Sequence, residues 1–361
     1  MDRSASFESD PLGWLDDLAA SGEGARALPS RRLCIADARL GRDILHNKDG
    51  AFEEHSDFFT TRRGIFGPRS SQIAVGREVR AFLSAGLTGA DIEAAVAQIG
   101  RESDWPAAGC SLLAKLSLPF LAGPGRSAHF RSLLAQIVQS RILDRGIRSP
   151  GLIRAAIRKR RFLRAFAAER ARADQPHDAL ALVFAAGGAA DDAQLAEVFL
   201  GFLFSLVSSV GMALGWTIRL AVTHGKEDLP PDQLASEALR LYPIAWWLAR
   251  RPARPMTLLG HEVDPGWTVI VSPYAVHRNP ACWPEPENFL PERWAQPLDR
   301  SAWLPFGAGP HSCVAIGLTF QLLQRLLGAF FERRWRIEGG DGAPLIGPAL
   351  APPLYRLVEI R

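Results

Sequence analysis

The chain has 361 residues, 47% of them hydrophobic and 22% charged, which excludes a disordered or collagen-like polymer. Forty-two Lys and Arg against 38 Asp and Glu leave a net charge of +4, too small and too dispersed an excess to argue for nucleic acid by itself. Cys34, Cys110, Cys282 and Cys313 stand singly, so neither a disulfide scaffold nor a structural zinc site is expected. The N-terminus lacks the basic start and apolar run of a signal peptide, and a reducing, cytoplasmic setting is the expectation.

Residues 11–20, after Asp10-Pro11, read as a short helix. RRLCIAD (31–37) has strand character and ARLGRDILHN (38–47) has the form of a helix. Phe52 to Val75 reads as a loop rich in Gly, Ser, Arg and Phe, long enough to point to function. Helical patterns then dominate from Arg77 to about Thr223, broken near Pro106, Gly123–Gly125, Ser149-Pro150 and Gln175-Pro176. Within them, Val198 to Ile218 carries no charge and is long enough to cross a bilayer. No second span of that kind exists and the flanks are amphipathic, so the central helix of a globule is expected, with a membrane span as its rival. After Leu229-Pro230-Pro231 one helix, DQLASEALRLY, leads into strand-like MTLLGHEV and WTVIVSPYAV. An irregular, proline-rich stretch (Asn279 to Pro305), a helix from about Val314 to Arg333 and a strand-like tail follow. The expectation is a mainly α protein with a smaller β portion, one domain over 1–361. Its helix-rich core would lie at about 77–240 and 314–333, with a β-rich and irregular portion at about 28–75 and 244–305.

Residues 306–317 read FGAGPHSCVAIG: a lone cysteine after a Gly-rich loop, at the start of a helix. Free N–H groups and the helix dipole favour a thiolate there, which could be a nucleophile or a metal ligand; a buried structural cysteine is the plain alternative. The segment resembles the haem-ligand loop of the cytochromes P-450, Phe-x-x-Gly-x-(Arg/His)-x-Cys-x-(Gly/Ala), filled in register by Phe306, Gly309, His311, Cys313 and Ala315. Glu237-Ala238-Leu239-Arg240 is similar to the family's Glu-x-x-Arg, and Asn288-Phe289-Leu290-Pro291-Glu292-Arg293 to the segment whose arginine closes that network. His277-Arg278-Asn279-Pro280 is similar to the family's Arg-Asp-Pro step between them. The resemblance covers essentially the whole chain.

What the resemblance implies is specific. The fold would be that of a soluble bacterial-type cytochrome P-450, with haem b between a long distal helix and the helix after the cysteine loop. Cys313 would hold the iron, pushing electron density that favours O–O cleavage. Glu237, Arg240 and Arg293 would form a structural charge network. His311, Arg250 and Arg80 would meet the haem propionates, with Arg251 and Arg77 as next choices. The activity implied is a monooxygenase tailoring a small organic molecule, in the manner of secondary metabolism. No flavin or nicotinamide domain is legible, so electrons from NAD(P)H are expected through a ferredoxin reductase and a ferredoxin. The substrate would be free or tethered to a carrier protein; neither nucleic acid nor membrane is expected as a partner.

The departures matter as much. The apolar helix aligns with the family's distal helix, and the usual acid–alcohol pair falls on Ser208 and Ser209, with Ser205 and Leu206 at the groove. Serines can order water but supply no carboxylic acid. Two alternatives therefore stand: a haem-thiolate enzyme that uses peroxide or couples radicals without inserting oxygen, and a non-catalytic haem-binding or scaffold protein. Gly76 replaces a histidine that the family often has four residues before the position of Arg80. Pocket walls by analogy come from Phe58–Phe66, Leu203–Ser209, Ile244–Trp247 and Ile346–Leu350, with Phe66, Leu206, Trp246, Trp247 and Pro348 as the named candidates; core tryptophans are the plain reading of the Trp pair. A basic run from Arg154 to Arg172 reads as a solvated face or a dock for an acidic carrier protein. Arg325, Arg333 and Arg334 could help dock an acidic ferredoxin.

Overall fold

The computed structural model describes residues 6–53, 58–143, 152–188 and 190–360; the helix break expected at Ser149-Pro150 lies outside them. In chain order the elements begin with α1 (Pro11–Ser21), β1 (Ala25–Leu28), β2 (Arg32–Ile35), α2 (Ala38–His46), β3 (Thr60–Thr61) and β4 (Gly64–Ile65). There follow α3 (Arg69–Thr88), α4 (Ile92–Ala97), β5 (Glu102–Trp105), α5 (Ala107–Leu121), α6 (Ala128–Val138), α7 (Leu152–Arg170) and α8 (Ala179–Ala186). Helices α9 (Asp192–Phe204) and α10 (Val210–His224) run on through a π turn at Ser205–Ser209. The last elements are α11 (Pro231–Leu241), β6 (Leu248–Arg250), β7 (Met256–Leu258), β8 (His261–Val263), β9 (Thr268–Val271), α12 (Pro273–Val276), α13 (Ile316–Phe330), β10 (Arg334–Gly339) and β11 (Tyr355–Ile360).

Two compact units emerge, the first comprising Met1–Asp57, His224–Cys313 and Pro344–Ala351. Its centre is a four-stranded sheet in the order β1-β2-β9-β6, with β2 parallel to β9 (Cys34 opposite Ile270) and both outer pairs antiparallel. Successive side chains of a strand point to opposite faces, and here both faces are covered. Leu33, Ile35, Val269 and Val271 pack with Ile44 and Leu45 of α2 and with Trp283, Trp294 and Leu304. Cys34 and Ile270 face the other way, onto Leu12, Leu15 and Leu18 of α1 and onto Trp246 and Tyr274. Asp10 and Asp37 start the two helices by accepting the N–H groups of Gly13 (3.0 Å) and Leu40 (2.6 Å). The stretch that leads to Cys313 is thus laid on the α2 face of a sheet with no solvated side.

The second unit comprises Phe58–Thr223, Val314–Ala343 and Pro352–Arg361 and holds most of the helices. The apolar stretch expected to be a core helix lies in the 33-residue run from Asp192 to His224, and 72% of its most apolar window is buried. Close backbone approach builds this core: a Cβ on Gly211 would meet the Cys110 backbone at 2.9 Å, so α5 and α10 touch along a glycine. Tyr355 donates its hydroxyl proton to the Gly215 carbonyl at 2.7 Å, fastening the β10-β11-β5 sheet to α10.

Boundaries moved in three places. The expected loop from Phe52 to Val75 ends at Pro68, because Gln72, Val75, Val79, Leu83 and Leu87 form a buried stripe at helical spacing on α3. The loop also holds the short hairpin of β3 and β4. The last helix starts at Ile316 rather than Val314 and ends at Phe330. Strand β5 was not expected from ESDW, which owes its conformation to pairing with β11 (Trp105 opposite Tyr355).

Candidate functional site

Glu237 and Arg240 sit one turn apart on α11 and are fully buried. Arg240 holds the carboxylate with two bonds, Nε to Oε2 at 3.0 Å and Nη2 to Oε1 at 2.9 Å. Arg293 Nε reaches Oε1 at 3.1 Å, Trp294 Nε1 donates to Oε2 at 2.8 Å, and the Leu290 N–H donates to Oε1 at 3.1 Å. The remaining Arg240 protons go to the carbonyls of His277 (2.8 Å), Pro286 (2.7 Å) and Asn288 (3.0 Å). Such a pair is held in the interior only because its hydrogen bonds are made. Geometrically, the network ties α11 to the irregular chain at 277–294.

Two residues inside the quoted HRNP segment do more than the sequence disclosed. His277 is buried; its Nδ1 lies 2.9 Å from the Arg240 carbonyl, and its Nε2 is 2.7 Å from the Leu304 backbone nitrogen. A ring nitrogen that accepts an N–H carries no proton, so Nδ1 is the donor and the imidazole is neutral. Burial, reinforced by the Arg240 guanidinium, holds its pKa well below the usual 6.5. Arg278 is equally enclosed, its guanidinium 3.6 Å from the Tyr274 ring centroid and its Nη1 donating to the Leu241 carbonyl at 2.5 Å. A histidine and an arginine straight after the apolar VIVSPYAV were the available signal that both are interior.

Leu304 opens the cysteine loop. Trp303 meets Phe306 edge-on at 5.8 Å. Gly307 (φ +69°) and Gly309 (φ +71°) are left-handed. A Cβ on Gly309 would lie 2.7 Å from the His46 Cα and from the Leu45 carbonyl oxygen. That glycine therefore lets the loop rest on the last turn of α2. A short 3₁₀ turn, Gly309–His311, follows, and the Cys313 N–H closes the loop on the Phe306 carbonyl at 3.0 Å. Cys313 emerges exposed, followed by Val314 at 55% exposure. The other thiols are poor candidates: Cys34 and Cys110 are buried, burial pushes Cys34 up to about 12, and burial with Asp37 and Asp299 raises Cys282.

The same unit holds half-buried His311 and, on β6, Arg250 at 4% exposure, with its Nη1 donating to the Ala249 carbonyl at 2.8 Å. Among the described residues no three His, Cys, Asp or Glu side chains are grouped to hold a bare metal ion. One exposed thiol on a fixed turn, with cations in its own unit, is instead the donor set a haem needs. The porphyrin would bring its own nitrogens to the iron, and the protein would supply a sulfur ligand and partners for the propionates. The residues present fit that group. Ala315 is the N-cap residue of α13.

The helical unit holds the remaining candidates. The π turn at Ser205–Ser209 widens the long helix at the two serines, a local change frequent at functional sites. Ser208 is 5% exposed and its hydroxyl points to Met212 Sδ at 3.9 Å, rather than back-bonding to a helix carbonyl; Ser209 is half-buried and Ser205 exposed. Leu206 is buried, as is Phe66, which stacks on Phe59 at 6.0 Å. Arg80 and Arg77 are exposed on α3. In the first unit Trp246 is a core residue, 4% exposed, donating to the Gly347 carbonyl at 2.8 Å. Trp247 stacks on it at 5.2 Å and carries the exposed face of the pair; Pro348 is exposed.

The fold these residues occupy is that of the cytochromes P-450. A cytochrome P-450 of Thermus thermophilus superposes with a TM-score of 0.70 at 22% identity, covering 98% of this chain and 96% of that one. A mutant of the P-450 EryK in complex with erythromycin B gives 0.69 at 16% identity, covering 98% and 97%. Residues 232–333, which include Glu237, Arg240, Arg293 and Cys313, match the cytochrome P-450 family model. Cyclooctat-9-en-7-ol 5-monooxygenase of Streptomyces melanosporofaciens is 40% identical over 128 residues, 33% of this chain and 28% of that protein. Cyclooctatin synthase of the same organism is 30% identical over 209 residues, 48% and 44% respectively. The chain thus spans less than half the length of these curated relatives.

Proposed function

We propose that the protein is a haem-thiolate monooxygenase acting on a small organic molecule. The observation that carries this is the cysteine loop: one exposed thiol, Cys313, on a turn fixed by Gly309 against α2 and by the bond from its own N–H to Phe306. Bound haem b would supply the oxygen chemistry, one atom of O2 entering the substrate and the other leaving as water, with electrons and protons drawn from outside. The chain's own residues hold and tune. Cys313 Sγ would hold the iron, and His311 and Arg250 would neutralise propionate charge, with Arg80 as the candidate from α3. The Glu237–Arg240–Arg293 network and His277 keep the loop's approach rigid. Ser208 and Ser209 take the place of an acid–alcohol pair and can order a water that passes a proton, although neither supplies an acid. Electrons would come from NAD(P)H through a ferredoxin reductase and a ferredoxin. The similarity to cyclooctatin synthase and to cyclooctat-9-en-7-ol 5-monooxygenase favours secondary metabolism as the setting.

The test is turnover of candidate cyclic alcohols with O2, NADPH, reductase and ferredoxin, with products followed by mass spectrometry. A product heavier by one oxygen supports the reading, and the label of 18O2 must appear in it. Reduced-haem formation without product across the panel would leave a haem-binding protein. A second reading rests on the Ser208–Met212 contact: a distal helix without an acid suits peroxide use or radical coupling. Product formed with hydrogen peroxide alone, or a coupled product without added oxygen, would favour it.

A further inference from the structure

Helix α7 carries Arg154, Arg158, Lys159, Arg160, Arg161 and Arg164, with no Asp or Glu from Leu152 to Ala168. These charges exceed the +4 surplus of the whole chain, so the remainder of the protein is net negative. The excess expected to be dispersed is concentrated on one helix. All but half-buried Arg158 are exposed, and among the described residues none of them pairs with a carboxylate. Elsewhere in this unit Arg126 is buried on Asp178 (2.6 Å), Arg170 pairs with Asp192 (2.9 Å) and Arg63 with Asp191 (2.5 Å).

Beside α7 opens a groove of about 660 Å³. Its floor is apolar, from Leu163, Ala167 and Ala193, and its rim carries Lys159, Arg160 and Arg164. The acids at its edge, Asp191 and Asp192, are already engaged by Arg63 and Arg170, so the rim keeps its positive charge. At about 1.5 Å of rise per residue, the rim cations from Lys159 to Arg164 span roughly 7.5 Å, while Arg154, Arg158 and Arg161 lie outside the groove lining. Three occupants can be compared. A bilayer is flat and would ask for several exposed bulky apolar residues, whereas among the described side chains of α7 Ile157 is the exposed large apolar one. Single-stranded nucleic acid would ask for exposed aromatics to stack on, whereas Phe162 and Phe166 are buried. An acidic helix matches in charge, with three cations on the rim, and in the apolar floor that can receive one side chain.

We propose that the groove beside α7 docks an acidic protein, through a helix that carries carboxylates around an apolar residue. The apolar residue seats on Leu163 and Ala167, and its flanking carboxylates meet Lys159, Arg160 and Arg164. The surface is independent of iron and of the reaction proposed above, so its test does not depend on activity.

The probe is a fluorescein-labelled amphipathic peptide of Glu, Ala and Leu, titrated with the full chain and followed by anisotropy. Binding is expected to weaken as salt rises and to fall at least about tenfold in Lys159→Glu/Arg160→Glu/Arg164→Glu. A second triple variant, Arg39→Glu/Lys115→Glu/Arg131→Glu, makes the same change in net charge at exposed sites elsewhere and is expected to bind like wild type. Thermal melting checks both, and Arg160→Glu alone, with a loss of about threefold, serves if the first triple fails to fold. Equal losses in the two triples, or no binding by wild type, would overturn the proposal. So would binding of phosphatidylserine vesicles or of a single-stranded oligonucleotide that depends on Lys159, Arg160 and Arg164 while the peptide does not bind.

Discussion

The carbonyl of Arg240 and Nδ1 of His277 are 2.9 Å apart, and the opposite nitrogen of the same ring accepts the Leu304 N–H at 2.7 Å. One neutral imidazole thus links the helix of the buried ion pair to the start of the cysteine loop. His277 is a positioning residue: protonating it would turn Nε2 from acceptor to donor, facing an N–H.

That linkage has a pH signature. The folded pKa lies well below 6.5, so below about 6.5 the unfolded chain binds a proton that the folded chain refuses. Above that value both states are neutral and the group contributes no pH dependence. Stability should therefore fall as pH drops below 6.5, by up to about 1.4 kcal/mol per pH unit from this group. Urea unfolding of wild type and His277→Gln across that range checks it. The variant should be less stable by about 1–3 kcal/mol at neutral pH, with a flatter acid limb. An unchanged acid limb would assign the loss to other groups.

Glu237→Ala leaves the Arg240 guanidinium buried without its counter-ion, and Arg240→Ala does the reverse. Each should lose about 3–5 kcal/mol, a large share of an ordinary domain's stability, and give little holoprotein. Denaturation and haem content measure this; normal values for both would contradict a network that holds the loop.

Gly307 and Gly309 have nearly the same positive φ, but a Cβ meets only Leu248 at 3.5 Å from the first and the α2 backbone at 2.7 Å from the second. Ala at either position strains the backbone, while only Gly309→Ala must push the loop off α2. Gly309→Ala should lower the melting temperature further and retain less haem than Gly307→Ala. Equal effects would mean that conformation alone, not close approach, requires the glycine.

The parts legible in the sequence were those written locally. Glu237 and Arg240 stand three apart on an amphipathic helix, and the cysteine follows a glycine-rich turn, so both patterns are local, and the resemblance to the cytochromes P-450 assigned their roles. The role of His277 needed the tertiary path that brings Leu304 beside α11, which no local pattern encodes. The start of α3 was hidden because RSSQ reads as loop, while its buried stripe from Gln72 to Leu87 appears only against a packed neighbour. The widened turn at Ser205–Ser209 is likewise a backbone event that an unbroken apolar run does not announce.

At that turn the serines can be separated. Ser208 is buried against Met212, whereas Ser209 is half-buried, so Ser209 is the better placed to order a water. If proton delivery relies on a polar group of the substrate, Ser209→Ala should lower product formed per NADPH by less than the roughly 10²–10⁴-fold that general acid–base catalysis contributes. A loss of that full size would make Ser209 itself the relay.

The claim on which the rest depends is that Cys313 Sγ holds haem iron. The direct measurement is the difference spectrum of the reduced protein with carbon monoxide, for wild type and Cys313→Ala, reconstituted with haem and checked for folding by melting. Wild type should show the strongly red-shifted Soret band of thiolate ligation, and folded Cys313→Ala should lose it. A wild-type spectrum without that band, or one that survives in Cys313→Ala, would contradict the assignment.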